Sequence, residues 1–310
     1  MRRDDFEGKT GKKRKTWRIL RLILKLFAAV ITVFLLTVCI SALICTFFFK
    51  VTVREIPLPG LSTPVKAVIL SDLHGLEFGA DNARLLKKVA GQNPDVIFMI
   101  GDMLPETGDA EADAAWTAEL TGRLQEIAQV YFALGNHEAA FIRQSGDEIL
   151  TKAAETGAIV LDETWGDFEI AGNTVRLGGT LGHGYLFGRS RKKFYASPEY
   201  AVLSALEESP YPAILLAHLP DTVALSDGKE RWHIDLVLSG HTHGGVIRVP
   251  GRGGIFAPMQ GWWPRYDYGV FELNEKMTMV ITSGFAGYGS RVPRIFNMPE
   301  ICVLNLVPGS

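Results

Sequence analysis

From Leu26 to Phe49 the chain carries no charged residue and no proline. At about 1.5 Å of rise per residue, a helix of that length exceeds the roughly 30 Å hydrocarbon core of a bilayer. A cleaved leader has a shorter apolar stretch that ends at small residues. Thr46-Phe47-Phe48-Phe49-Lys50 offers no such end. The pattern predicts an uncleaved transmembrane signal anchor over residues 26–49. Pro57, Pro59, Gly60 and Pro64 then punctuate 50–64, which reads as an extended linker.

Beyond it the periodicity alternates. Val65–Leu70, Asp95–Ile100 and Val130–Leu134 are short apolar runs typical of buried strands, separated by helically spaced Asn82–Ala90 and Glu111–Ile127. A β-α-β-α-β order predicts a parallel sheet with right-handed crossovers. The second half is richer in strands: Thr174–Leu177, Ala213–Ala217, Ile234–Leu238, Val246–Val249, Tyr268–Leu273, Met277–Ser283 and Ile301–Leu306. Two packed sheets flanked by helices, in one α/β domain over residues 65–310, are expected.

Charge adds an asymmetry. The formal net charge is -2, yet residues 1–25 hold ten basic and three acidic residues, so a basic tail precedes an acidic body. That balance argues against a general nucleic-acid binder. The positive-inside rule places the tail in the cytoplasm and the body outside it, and the tail also suits anionic headgroups at the inner leaflet. Of three cysteines, Cys39 and Cys45 lie in the apolar run, so Cys302 has no partner in the body. At 47% hydrophobic and 21% charged residues, the chain is not disordered.

Polar residues recur where the predicted strands end. Asp72 and His74, Asp102, Asn136 and His137, His218, and His241 and His243 each follow a different apolar run. In open α/β sheets, sites form beyond the carboxyl ends of strands. One such residue alone is commonly a cap or a loop residue; five strands delivering them to one rim point to a shared site. Two divalent ions can share a carboxylate and lower the pKa of a water. Mixed carboxylate, amide and imidazole donors suit Mn, Zn, Fe or Co better than Mg or Ca. His137, beside a ligand, is available for proton transfer or charge stabilisation.

Asp72-x-His74, Gly101-Asp102, Gly135-Asn136-His137-Glu138, His218 and Gly240-His241-x-His243, in this order, resemble the five blocks of the calcineurin-like metallophosphoesterases. The resemblance spans about residues 65–307. It implies a four-layer αββα sandwich and two divalent metal ions. It assigns Asp72, His74, Asp102 and His243 to one ion, and Asp102, Asn136, His218 and His241 to the other. His137 would be the catalytic histidine. The anchor and the stretch Gly284–Pro299 look closer to a bacterial membrane-anchored branch, which includes phosphodiesterases and enzymes resembling UDP-2,3-diacylglucosamine pyrophosphatase. Protein phosphatases of the superfamily carry GDxxDRG, whose second Asp pairs with the histidine. Here Pro105 takes that place, which weakens a protein-phosphatase reading; Glu106 or Glu138 is left to orient His137.

The expected activity is membrane-anchored, metal-dependent hydrolysis of phosphodiester or pyrophosphate bonds, lipid- or glycan-linked substrates among them. Alternatives are a soluble-nucleotide phosphohydrolase displayed at the membrane and a non-catalytic metal- or phosphate-binding module. Gly182–Tyr195 reads either as a cap with phosphate-binding bases, including Arg189 and Arg191, or as a solvated basic loop. Arg291 and Arg294 are further substrate-binding candidates. Trp262, Trp263 and Arg265 suit either a membrane-surface patch or interior packing.

Overall fold

The computed structural model describes residues 4–181, 194–224, 228–287 and 292–309. A helix, α1 (Asp4–Phe47), precedes the body. Its stretch Trp17–Phe47 is long and apolar enough to cross a membrane, and most of it is exposed, with Cys45 near its end buried against the body.

The first sheet has the strand order β1 (Lys50–Pro59), β16 (Glu300–Gly309), β2 (Val65–Leu70), β3 (Val96–Ile100), β4 (Val130–Ala133) and β5 (Ile159–Leu161). Strands β2 to β5 are parallel, with α2 (Ala83–Ala90) and α3 (Ala110–Gln125) crossing between them. Both helices lie on the outer face, where Leu85, Val89, Leu120 and Leu124 pack on Val68, Ile97 and Phe132. Two further helices follow β4: α4 (Asn136–Ser145) and α5 (Glu148–Glu155).

The second sheet contains β6 (Thr164–Ile170), β7 (Asn173–Thr180), β8 (Ala213–Ala217) and β9 (Leu236–Ser239). Two small hairpins then pair β10 (Arg248–Val249) with β11 (Gly253–Gly254) and β12 (Phe256–Ala257) with β13 (Gly261–Trp262). The sheet is completed by β14 (Gly269–Glu272) and β15 (Thr278–Ile281), in the order β14-β15-β9-β8-β7-β6. Helix α6 (Pro198–Glu207) covers its outer face through Val202, Leu203 and Leu206. Short α7 (Asp221–Ala224) and α8 (Gly228–Arg231) follow β8.

The sheets meet over Ile69, Phe98, Ile100 and Leu304 from one side and Leu177, Ile214, Leu216 and Val280 from the other. Burial of these side chains, each stabilising by about 1.5–3 kcal/mol before entropy is counted, holds the layers together. The architecture is the expected helix–sheet–sheet–helix sandwich.

The segment 50–64 differs from its reading as a linker. Lys50–Pro59 is hydrogen-bonded into the sheet as its edge strand, parallel to β16. Ile56 and Leu58 turn inward, while Pro57 and Pro59 face out. Proline is tolerated there because an edge strand leaves half of its N–H groups without a ladder partner.

Candidate metal centre

Strands β2, β3, β4, β8 and β9 point their carboxyl ends to one rim, and each ends in a tight turn that carries a predicted site residue. Asp72, His74, Asp102, His241 and His243 all have positive φ, between 46° and 67°. Non-glycine residues are costly in that region and persist only where surrounding structure enforces it. Such strain gathered on five residues of one cluster marks a functional centre.

Their side chains converge. Ligand atoms of Asp72, His74 and His243 lie within 4.8 Å of one another, as do those of Asp102, His218 and His241. Asp102 Oδ2 sits between the groups, 3.0 Å from His218 Nε2, 3.7 Å from His74 Nε2 and 3.8 Å from His137 Nε2. Asp72 Oδ1 is 3.8 Å from His243 Nδ1 and 4.0 Å from His218 Nε2. Asn136, the first residue of α4, lines the same cavity, and its Oδ1 is buried with no hydrogen-bond partner among the described residues. His74 Nε2 is likewise buried without one. Orphaned buried acceptors are rare and call for a ligand. The donor set, two carboxylates, an amide oxygen and imidazoles, fits borderline divalent cations.

The backbone around the cluster is tightly specified. His137 N donates to Asp102 Oδ1 at 2.9 Å, and His241 N donates to Asp72 Oδ1 at 3.0 Å. Ser71 Oγ lies 2.7 Å from Asp72 Oδ2 and 2.8 Å from the Ile100 carbonyl. His218 Nδ1 donates to Ile100 O at 2.8 Å, which fixes the ring and aims Nε2 at the carboxylates. A Cβ on Gly135 would collide with Asp102 Oδ1, and one on Gly240 with Ser71 Oγ.

The electrostatics follow from burial. Desolvation lowers His74 to about 4, so it presents a lone pair at neutral pH. It raises Asp72 to about 6, against the pull of His218. For Asp102 burial acts upward, but His218, His74 and His137 together carry it well below the usual carboxylate range. Burial also opposes charge on His218, yet Asp102 and Asp72 push it up to about 10. The protons held in this cluster are those that cation binding displaces.

Residues not predicted for these roles brace the site. Glu138 is fully buried; its Oε2 accepts from Asp102 N and Gly135 N, and its Oε1 from Met103 N. It therefore ties two site loops together and is unavailable to orient His137. Glu106 does that: its Oε1 lies 2.5 Å from His137 Nδ1. The Glu138 role had a sequence mark, since an acid three residues past a helix N-cap accepts from the cap's backbone.

Arg294, expected among substrate contacts, lies in the interior instead. It is 3% exposed, and its guanidinium donates to the carbonyls of Ser283, Ala286 and Asn297. Asn297 in turn donates to His243 O, so the pair supports the histidine loop. Arg189, Arg191, Arg291 and most of the expected cap Gly182–Tyr195 fall outside the described residues. Of that segment's end, Phe194 is buried against Val202 and Leu203. His233, outside the cluster, meets Glu207. Trp262 and Trp263 are exposed, not interior.

The cluster forms one wall of a cavity of about 610 Å³, lined also by Leu76, Glu106, Pro258 and Ala286. A cavity of about 750 Å³ between α3 and α5 holds carboxylates and amines but no histidine.

The calcineurin-like phosphoesterase family profile matches residues 65–245. An uncharacterized metallophosphoesterase of Campylobacter jejuni is 30% identical over 303 residues, covering 96% of this chain and 73% of that one. Phosphodiesterase YaeI of Escherichia coli is 28% identical over 249 residues, 79% of this chain and 83% of its own. A bovine transmembrane protein with a metallophosphoesterase domain is 29% identical over 77% of this chain, which spans about half (53%) of that protein. Among solved structures, TT1561 of Thermus thermophilus superposes with a TM-score of 0.47 at 16% identity, covering 72% of this chain and 91% of its own. The chain belongs to the calcineurin-like phosphoesterase family. It is a hydrolase of phosphoric esters.

Proposed function

We infer that the protein is a membrane-anchored hydrolase of phosphodiester or pyrophosphate bonds, acting with two divalent cations, on substrates that include lipid- or glycan-linked phosphates. The observation that carries this reading is the placement of Asp102 Oδ2 among His218, His74 and His137, with Asp72, His243, His241 and Asn136 around it. One cation would be held by Asp72, His74, Asp102 and His243, the other by Asp102, Asn136, His218 and His241. When bound, such a pair neutralises charge on phosphate oxygens and makes a water nucleophilic near neutral pH.

The remaining work belongs to the chain. Water oxygen bonds to phosphorus as the ester P–O bond breaks, and the leaving oxygen takes a proton. His137 Nε2 opens onto the cavity and is the group placed to give it; Glu106 fixes the other ring nitrogen. Arg189, Arg191 and Arg291 are proposed as contacts to substrate phosphate, on their charge and sequence placement alone.

Helix α1 supports the anchoring, and the basic tail before it supports a cytoplasmic N-terminus with the catalytic domain outside. The relative named phosphodiesterase favours a diester over a monoester substrate. The test is metal analysis of the purified full chain combined with assays on a chromogenic phosphodiester, a phosphomonoester, a nucleotide pyrophosphate and a lipid pyrophosphate. Turnover of diester or pyrophosphate with two cations per chain supports the reading. Failure on every phosphoester with both cations bound would overturn it.

A further inference from the structure

The apolar helix joins the body on the side of the metal-ligand cluster, and strand direction requires this. β1 is parallel to β16, pairing Lys50 with Glu300, and β16 is antiparallel to β2, pairing Cys302 with Ile69. The first residue of β1 therefore sits at the end of the sheet where β2 delivers Ser71 and Asp72. Only Phe48 and Phe49 separate α1 from that strand.

Side-chain contacts agree with the topology. The Phe49 ring packs edge-on against Phe78, with centroids 4.9 Å apart, and against Phe285 at 5.9 Å. Arg84 Nη2 donates to Phe47 O at 3.3 Å. Phe296 N donates to Ser41 Oγ at 2.7 Å. Ser41 lies six residues inside the end of α1, which is about 9 Å of helix rise. Phe296, which lies between β15 and β16, is thus held beside the apolar helix rather than beyond its end.

The surface around that junction has a matching composition. After Phe48, eleven large apolar side chains are exposed among the described residues. Six of them, Leu76, Met259, Trp262, Trp263, Val292 and Phe296, sit on the loops and the small β12–β13 hairpin that follow the site strands. Leu76 itself lines the cavity, as does Pro258 next to Met259. Trp262 is 73% exposed, and the Arg252 guanidinium lies 4.1 Å from the Trp263 ring centre. Tryptophan beside arginine is the composition of a membrane–water interface, where the ring is half solvated and the cation meets phosphate. In bulk water the same cluster would be an uncovered apolar patch.

We propose that the rim bearing the metal-ligand cluster is itself a bilayer-contacting face, with Met259, Trp262, Trp263 and Phe296 at headgroup depth and the catalytic cavity opening onto the headgroups. A phosphoester carried by a lipid then reaches the cluster without leaving the membrane surface. The proposal rests on α1 being the membrane span.

The test uses the full-length chain in phosphatidylcholine–phosphatidylglycerol vesicles. An environment-sensitive label is attached to native Cys39 in α1 or, with Cys39→Ser in place, at M259C, W262C, F296C or Y211C. Tyr211 precedes β8 and lies at the opposite pole. Quenching by nitroxide on the lipid acyl chain is compared with quenching by aqueous iodide. Labels at positions 39, 259, 262 and 296 should lose fluorescence to the lipid quencher, and the label at 211 only to iodide. If position 39 is lipid-quenched while 259, 262 and 296 behave like 211, the face is wrong and the anchor stands. If position 39 also escapes the lipid quencher, anchor and face both fall. Neither result touches the hydrolase reading, because turnover is not the readout.

Discussion

His137 Nδ1 lies 2.5 Å from Glu106 Oε1, while the other ring nitrogen faces Asp102 Oδ2 across 3.8 Å. Burial alone would depress this imidazole, but Asp102 and Glu106 turn the balance, and its pKa is raised. The ring is held by a carboxylate at one nitrogen and left free to act at the other. Glu106→Gln should lower kcat about 10- to 100-fold, the usual cost of losing a group that orients a site histidine. KM and metal content should stay near wild type, and Glu106→Asp should restore part of the rate. Steady-state kinetics beside metal analysis decides the matter; equal loss of bound metal would show that Glu106 is a ligand instead.

The two sides of Asp102 separate by substitution. Asp102→Asn should lose cations and turnover together, since one oxygen faces three histidines. His137→Ala should keep the cations and lose about 10²- to 10⁴-fold in kcat, the range for a positioned acid or base. Elemental analysis of both purified variants checks this; metal loss in His137→Ala would contradict the assigned role.

Gly135 has ordinary φ, so a methyl there costs no backbone strain, yet it would strike Asp102 Oδ1 and Asp102 N. Gly135→Ala should therefore displace the Asp102 carboxylate in an otherwise folded protein. Cation affinity should fall at least tenfold with the far-ultraviolet spectrum unchanged, measured by competition with a chromogenic chelator.

Arg294 is a structural cation. Removing it strands the carbonyls of Ser283, Ala286 and Asn297. Arg294→Ala should cost about 3 kcal/mol or more, at roughly 1–3 kcal/mol for each buried carbonyl left unpaired. The denaturation midpoint of the chain in detergent reads this directly. A variant of wild-type stability with only a raised KM would return Arg294 to the substrate.

Asp221 is 1% exposed, and among the described residues no other residue gives its carboxylate oxygens a hydrogen bond. Burial raises its pKa to about 6. The folded state then binds a proton more tightly than the unfolded chain, so this group's contribution to stability falls as pH rises from about 4 to about 6 and stays unfavourable above. Asp221→Asn should stabilise the protein by about 3 kcal/mol at pH 7.5 and by little at pH 4. A stability difference independent of pH would contradict the buried-charge explanation.

Much of the site is legible in the sequence because parallel strands buried on both faces read as unbroken apolar runs. Polar residues then stand out where the runs stop, and Asp72, Asp102, Asn136, His218 and His241 all lie at such stops. Other features leave weaker marks. β6 is an antiparallel edge with a mostly exposed pattern, so Thr164–Ile170 carries little periodicity. The prolines of β1 imitate a linker because only its inward residues, Ile56 and Leu58, need to be apolar. Nothing in the sequence separates Arg294 from a surface arginine, since its partners, three backbone carbonyls and the Asn297 amide oxygen, are brought to it by the tertiary fold. The sequence does not separate Glu106 from Glu138 either, because both are acids close in the chain to site residues and only the fold engages Glu138 with backbone amides.

The ten-residue ladder between β1 and β16 moves the domain boundary. The family match begins at residue 65, but a chain cut there would strip the outer neighbour from a strand whose first five residues are buried. The exposed row of unpaired N–H and C=O groups would be a template for self-association. Glu300 would also lose Lys50 and Thr52, two of the groups that meet its carboxylate. Trimming meant to yield a soluble enzyme should therefore stop before Lys50, or it will trade one insoluble segment for another.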